Sequence, residues 1–130
     1  MAIQFERVVP ILRIFSLEKA REFYPGFLGF KVDFEHRFEP DAPVYMQVSR
    51  GALILHLSEH HGDGTPGSGL CIYMTGVAEL HRELTEKKYR YNRPGLEKQE
   101  WGQTTVTVTD PFNNRITFSE KTREDESLNA

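Results

Sequence analysis

The side chains best equipped for chemistry sit in a few places. His56 interrupts the apolar run Leu53-Ile54-Leu55-His56-Leu57, and His60, His61 and Asp63 follow in a glycine-rich stretch. Cys71 is the only cysteine, and Trp101, the only tryptophan, precedes Gly102 and an alternating Thr/Val run. An imidazole can bind a metal or carry a proton, a thiolate can attack, and an indole face can stack on a flat ring. Each group also has a plainer use. Neighbouring histidines on a strand point to opposite sides and residues 60–69 are rich in turn formers, so His60, His61 and Asp63 read as a solvated loop. No His or Asp stands at a spacing that marks a partner for Cys71, which reads as a small buried hydrophobe. His56 reads as a hydrogen-bonded histidine in a groove. The sequence has no phosphate loop, serine elbow or dinucleotide fingerprint.

The elements that position these groups follow from periodicity. Residues 5–15 predict a strand, and Ser16 caps a helix with Leu17, Ala20, Tyr24 and Phe27 on one face. Pro25-Gly26 should end or distort that helix early. Strands are expected near 29–36, 43–49 and 52–58. The pattern restarts with a strand at 69–75. A helix striped by Val77, Leu80 and Leu84 then runs to about Lys87, with Glu83 and Lys87 as an i,i+4 pair. Strands near 89–93, 103–109 and 115–120 complete it, the last two joined by a turn at Asp110-Pro111-Phe112-Asn113-Asn114. Each half reads β-α-β-β-β, and PILRIFSLEKAREF faintly echoes CIYMTGVAELHREL. Three short strands per helix favour an α+β class over a parallel sheet.

If helices cover one side of the sheets, a period of two assigns the other side. In the first strand Pro10, Leu12 and Ile14 share one face and Val9, Ile11 and Arg13 the other; the row Leu53, Leu55, Leu57 and the row Leu70, Ile72, Met74 go to the core. His56, Cys71, Tyr73, Gln103, Thr105, Thr107 and Thr117 go to the free face, with Trp101 at its edge. This mixture of apolar and polar groups suits a small-molecule groove. The segment DFEHRFEPD adds Phe34 and Phe38 for stacking, and Asp33, Glu35, Glu39 and Asp41 for a cation.

Composition narrows the classes further. The chain has 130 residues, nine Phe and a net charge of −3; its mean hydropathy of −0.51 is that of a soluble protein. These values predict one domain, no membrane span and no nucleic-acid partner, since phosphates demand clustered Lys and Arg. A lone cysteine and the absence of a secretory signal pattern suggest the cytoplasm. Residues 121–130 read as a flexible tail.

The segments VVPILRIFSLEKAREFYPGFLGFKVDF at 8–34, GVAEL at 76–80 and EWGQTTVTVTDPFNNRITF at 100–118 cover nearly the whole chain. Their order and spacing resemble the bleomycin resistance proteins of the glyoxalase/bleomycin-resistance/dioxygenase (vicinal oxygen chelate) superfamily. The resemblance implies paired βαβββ modules, here about 5–60 and 68–120, forming a curled mixed sheet with a concave ligand groove and a homodimer that completes the cleft.

Metalloenzymes of this superfamily hold a divalent ion at four inward strand positions, which align here with Val9, His56, Gly69 and Thr117. One imidazole among Val, Gly and Thr is a poor donor set. The expectation is therefore no metal, no cofactor and no catalytic residue. The protein would instead sequester an aromatic, cationic antibiotic such as bleomycin, or a smaller aromatic compound. The expected ligand contacts are Phe34, Phe38, His56, Tyr73, Trp101, Gln103 and Thr105. The alternative is a metal-dependent glyoxalase, lyase or dioxygenase in which His56 is joined by His36 or Glu120.

Overall fold

A computed structural model describes residues 2–123. The chain forms two compact units, Met1–Pro66 and Gly67–Ala130. The first contains β1 (Ile11–Arg13), α1 (Leu17–Arg21), a π-helical segment Glu22–Phe27, β2 (Lys31–His36), β3 (Tyr45–Arg50) and β4 (Leu53–Ser58). The second contains β5 (Gly69–Tyr73), α2 (Val77–Glu86), β6 (Leu96–Lys98), β7 (Gln103–Thr109) and β8 (Arg115–Lys121). The sheet orders are β1-β4-β3-β2 and β5-β8-β7-β6, so the same arrangement occurs twice. In both, the first strand pairs parallel to the last and the other pairings are antiparallel. Two four-stranded mixed sheets with one helical element each make the α+β class expected from three strands per helix.

Side-chain alternation sets the two faces of each sheet. In the first unit Leu12, Ile14, Met46, Val48, Leu55 and Leu57 are buried together with Ala20, Phe23, Tyr24 and Phe27 of the helical segment. Phe23 meets Tyr24 edge to face at 5.0 Å. In the second, Val77, Leu80 and Leu84 of α2 bury toward the β7–β8 face carrying Val106, Val108, Ile116 and Phe118. At about 25 cal/mol per Å² of apolar surface removed from water, such rows supply most of the force that fixes strand register.

Caps and turns follow the sequence closely. Ser16 Oγ accepts from Lys19 N at 3.2 Å, and Glu83 pairs with Lys87 at 3.9 Å. In the β7–β8 turn the buried Asp110 carboxylate accepts from Phe112 N, Asn114 N and Asn114 Nδ2 at 2.9, 2.7 and 2.8 Å. Asn113 takes the left-handed conformation at φ 69° that Asn tolerates.

Several expectations need correction. The first strand is three residues long rather than 5–15, because Pro10 has no amide hydrogen to continue the ladder. Pro25 distorts the helix, one of the two outcomes expected of it, rather than ending it. It widens it into a π turn, in which Leu28 N bonds to Phe23 O five residues back, avoiding the clash an α-turn would impose on the ring. Residues 89–93 are not a strand. Asn92 there bonds both backbone groups of Thr109 through its side chain (2.6 and 3.2 Å), and the edge strand is Leu96–Lys98. Cys71 is exposed rather than buried, because the free face of β5 carries it. Of the expected tail, Lys121 ends β8 and Thr122 N bonds to Gly102 O at 2.8 Å; residues 124–130 lie outside the described residues.

Candidate functional site

The free face of the first sheet carries a cluster of rings. A bulge in β2 creates it. Val32 pairs with Val48 and Phe34 with Gln47, so Asp33 is an extra residue. The insertion shifts the parity and turns Phe34 and His36 to the face that carries Tyr45, Gln47 and His56. Phe34 is accordingly 44% exposed instead of joining the core.

Phe34, His36, Phe38, Tyr45, His60 and Asp63 line a concavity of about 330 Å³. Their rings meet edge to face. Phe34 lies 6.2 Å from His56, Tyr45 5.1 Å from His56, His36 4.8 Å from Phe38, and Phe38 6.0 Å from His60. Phe38 is 76% exposed. The Asp63 carboxylate accepts from Ser58 Oγ at 2.9 Å and brings an acidic group to the rim. A wall of rings beside one carboxylate suits a flat aromatic ligand with a cationic group.

Behind the rings runs a hydrogen-bonded chain whose direction is fixed at one end. Asp33 is held below the usual carboxylate range by hydrogen bonds from Gln47 and Ser49 and by the Lys31 ammonium. A carboxylate only accepts, so Gln47 must turn its amide N–H to Asp33 Oδ2 (3.0 Å) and its carbonyl to His56 Nε2 (2.9 Å). His56 Nε2 therefore carries the proton, and Nδ1 accepts from the Tyr45 hydroxyl at 2.6 Å. Burial and the positive charge of Arg7 lower the His56 pKa. Burial and the charge of Asp63 raise that of Tyr45. Both shifts favour a neutral pair and oppose moving a proton from the phenol to the imidazole.

The expected site residues divide between the units. Phe34, Phe38 and His56 come together in the first. In the second, Tyr73 on β5 pairs with Ser119 on β8, which pairs with Thr105 on β7. Tyr73 is 75% exposed, whereas Thr105 is only 5% exposed and takes a hydrogen bond from Gln99 Nε2 at 2.9 Å. Gln103 Oε1 accepts from Ser119 Oγ at 2.8 Å. Trp101 stands at the turn before β7, 71% exposed.

Three of the residues weighed as metal ligands, His56, Thr117 and Glu120, are engaged in other bonds. Both ring nitrogens of His56 are engaged, and Thr117 Oγ1 bonds to Thr107 Oγ1 at 3.2 Å. Glu120 lies on the helix side of β8, where its Oε1 accepts from Gly76 N and Val77 N at 3.1 and 3.0 Å. It caps α2. No group of three or more His, Cys, Asp or Glu able to hold a metal ion occurs among the described residues.

The sequence does not single out Tyr45 and Gln47; His60 and Asp63 lie in the loop expected of them, and from it they line the concavity. The alternation of Met46 and Val48 was the available signal, since it sends Tyr45, Gln47 and Ser49 to the opposite face. Nothing in the sequence marked the bulge. No helix of the described residues is long and apolar enough to cross a membrane.

A family model described as "Glyoxalase superfamily protein" matches residues 1–125. A solved bleomycin-binding protein complexed with bleomycin is 22% identical at a TM-score of 0.68, covering 90% of this chain and 99% of its own. A bleomycin resistance determinant encoded on the transposon Tn5 is 25% identical at a TM-score of 0.70, covering 90% and 98%. A member of the glyoxalase/bleomycin resistance protein/dioxygenase superfamily from Sphaerobacter thermophilus is 23% identical at a TM-score of 0.66, again covering 90% and 98%. No curated protein matches the chain.

Proposed function

Because the chain belongs to the glyoxalase superfamily, the question is whether it turns over a ligand or holds one, and we propose that it holds one. In this reading it is a metal-independent binding protein that sequesters an aromatic, cationic small molecule, a bleomycin-like antibiotic or a smaller compound of the same chemistry. The observation that carries the reading is the state of His56. The imidazole at the superfamily's metal-ligand position donates from Nε2 to Gln47 and accepts at Nδ1 from Tyr45, so no lone pair remains for an ion. Val9, Gly69 and Thr117 offer no strong donor in its place.

The ring-lined concavity of the first unit receives the flat part of the ligand, with Asp63 near its charged part. At about 330 Å³ the hollow accommodates a ring system rather than a whole large antibiotic. Tyr73, Trp101 and Gln103 of the second unit are proposed to contribute in a homodimer acting in a reducing cytoplasm. Thr105 has the smallest share, since Gln99 covers it.

Calorimetric titration with metal-free bleomycin, alongside elemental analysis of protein purified without an affinity tag, tests this. Saturable binding to metal-free protein, with the antibiotic recovered unmodified, is expected. Stoichiometric, tightly held metal, or chemical conversion of the ligand, would overturn it in favour of the metal-dependent glyoxalase or dioxygenase alternative.

A further inference from the structure

A second concavity of about 510 Å³ lies in the second unit, lined by His81, Leu84, Thr85, Lys88, Tyr89, Asn92, Arg93 and Pro94. It sits beside the C-terminal half of α2, away from the free sheet face. Its wall is fixed. His81 Nε2 donates to Pro94 O at 3.1 Å, Thr85 Oγ1 donates to His81 O at 2.8 Å, and Asn92 is bonded twice to the backbone of Thr109.

The charge around this hollow is unusual for the chain. Residues 87–93, Lys87-Lys88-Tyr89-Arg90-Tyr91-Asn92-Arg93, hold four cations and no acid, although the net charge is −3. Two of the four are occupied. Lys87 pairs with Glu83, and Arg90 lies over the Tyr91 ring at 5.2 Å. Lys88 and Arg93 line the hollow and take part in no ion pair among the described residues. Cations after a helix C-terminus complement its dipole, which accounts for Lys87. It does not account for Arg93, which lies seven residues beyond the end of α2 at Glu86 and still lines the hollow. Lys88 also holds the left-handed conformation at φ 50°, where glycine would be unstrained.

We infer that this hollow is a second binding site, for a small organic anion that carries a flat ring. The ring packs against Tyr89 and Pro94 while a carboxylate or phosphate meets Lys88 and Arg93. Arg93 can hold two anionic oxygens at once and Lys88 acts as a point charge. The site is independent of the ring-lined concavity of the first unit and of its proposed ligand.

Amide NMR of the full chain tests this with adenosine 5′-monophosphate and 2-naphthoate as probes. Adenosine and inorganic phosphate serve as separated halves. Saturable shifts confined to residues 81–94 are expected with either anion, and binding of each half alone should be about tenfold weaker or more, since only the intact anion uses ring and charge together. Lys88→Gly and Arg93→Gln should each weaken both anions about fivefold, while Lys88→Gly melts no lower than the parent because glycine relaxes the backbone there. The inference is overturned by shifts that never saturate, by phosphate alone matching the nucleotide, or by variants that bind like the parent. It is likewise overturned if a single-stranded RNA binds tightly while both monomeric probes do not.

Discussion

Asp33 and His56 do not touch, yet the charge on Asp33 decides which nitrogen of His56 is protonated. The carboxylate takes the N–H of Gln47, Gln47 offers its carbonyl to Nε2, and the lone pair on Nδ1 is left to Tyr45. A β-bulge places the first member of this chain and the 11-residue offset between Tyr45 and His56 on adjacent strands supplies the last. The outcome is a neutral imidazole with both ring nitrogens engaged.

The titration of His56 follows from that relationship. Burial and Arg7 place its folded-state pKa below the ordinary value of 6.5. The unfolded chain thus takes up the proton first as pH falls, and this contribution to stability is complete above about pH 6.5 and lost on acidification. Histidine NMR should place the midpoint below 6.5. Gln47→Glu sets a carboxylate beside Nε2 and should raise it. An unchanged midpoint in that variant would mean that Gln47 does not control the ring. Asp33 adds a separate step in the same sense at lower pH, since its depressed pKa makes stability fall once pH drops through the carboxylate range.

Glu120 performs the capping that Gly76, with φ 90° and no side chain, cannot. Glu120→Ala removes one acceptor shared by two amides and a negative charge at the start of α2. Urea denaturation should show a loss of about 1–2 kcal/mol. Glu120→Gln keeps an acceptor and should recover part of it. Equal losses in both variants would assign the whole effect to charge.

Asp110 is buried at 4% exposure and accepts three hydrogen bonds within its own turn. Its replacement by Ala leaves two backbone amides unsatisfied, which should cost about 3 kcal/mol, with the β7–β8 hairpin the first to lose amide protection in hydrogen exchange. Asp110→Asn should cost less because one oxygen still serves the backbone. Full stability of the Ala variant would show that water replaces the carboxylate.

Much of this was legible in the chain. A period of two grouped Leu12 with Ile14 in β1 and Leu55 with Leu57 in β4, which the core buries, whereas Leu70, Ile72 and Met74 of the expected β5 core row are only half-buried; Ser16 and Asp110-Pro111-Phe112-Asn113-Asn114 announced a cap and a turn. What was not legible had a common cause, a break in local periodicity with no compositional mark. The extra residue at Asp33 turned Phe34 out of the core. The π turn carried the helix past Pro25. Asn92 tied a loop to Thr109 through its side chain where an alternating Tyr-Arg-Tyr pattern imitates a strand. His56 was recognised as a grooved, hydrogen-bonded histidine. Its partners Tyr45 and Gln47 are short-range neighbours only across the β3–β4 pairing, which the residues alone did not reveal.

The ligand-binding reading places unequal weight on its aromatic residues, and substitution can separate them. Phe38 is mostly exposed and sits between His36 and His60, so Phe38→Ala should leave the melting temperature unchanged. Bleomycin binding should nevertheless weaken about 3- to 10-fold, the value of one aromatic contact. Phe34→Ala should weaken binding similarly and also lower stability slightly, because the ring packs on His56. Asp63→Asn should affect a cationic probe and spare a neutral one of the same shape, since only the carboxylate's charge is lost. Trp101, in the second unit, provides the contrast. If its emission changes on titration and Trp101→Phe retains affinity while Trp101→Ala does not, the indole stacks on the ligand. If neither Phe38→Ala nor Phe34→Ala alters affinity, the ring-lined hollow of the first unit is not where the ligand is held.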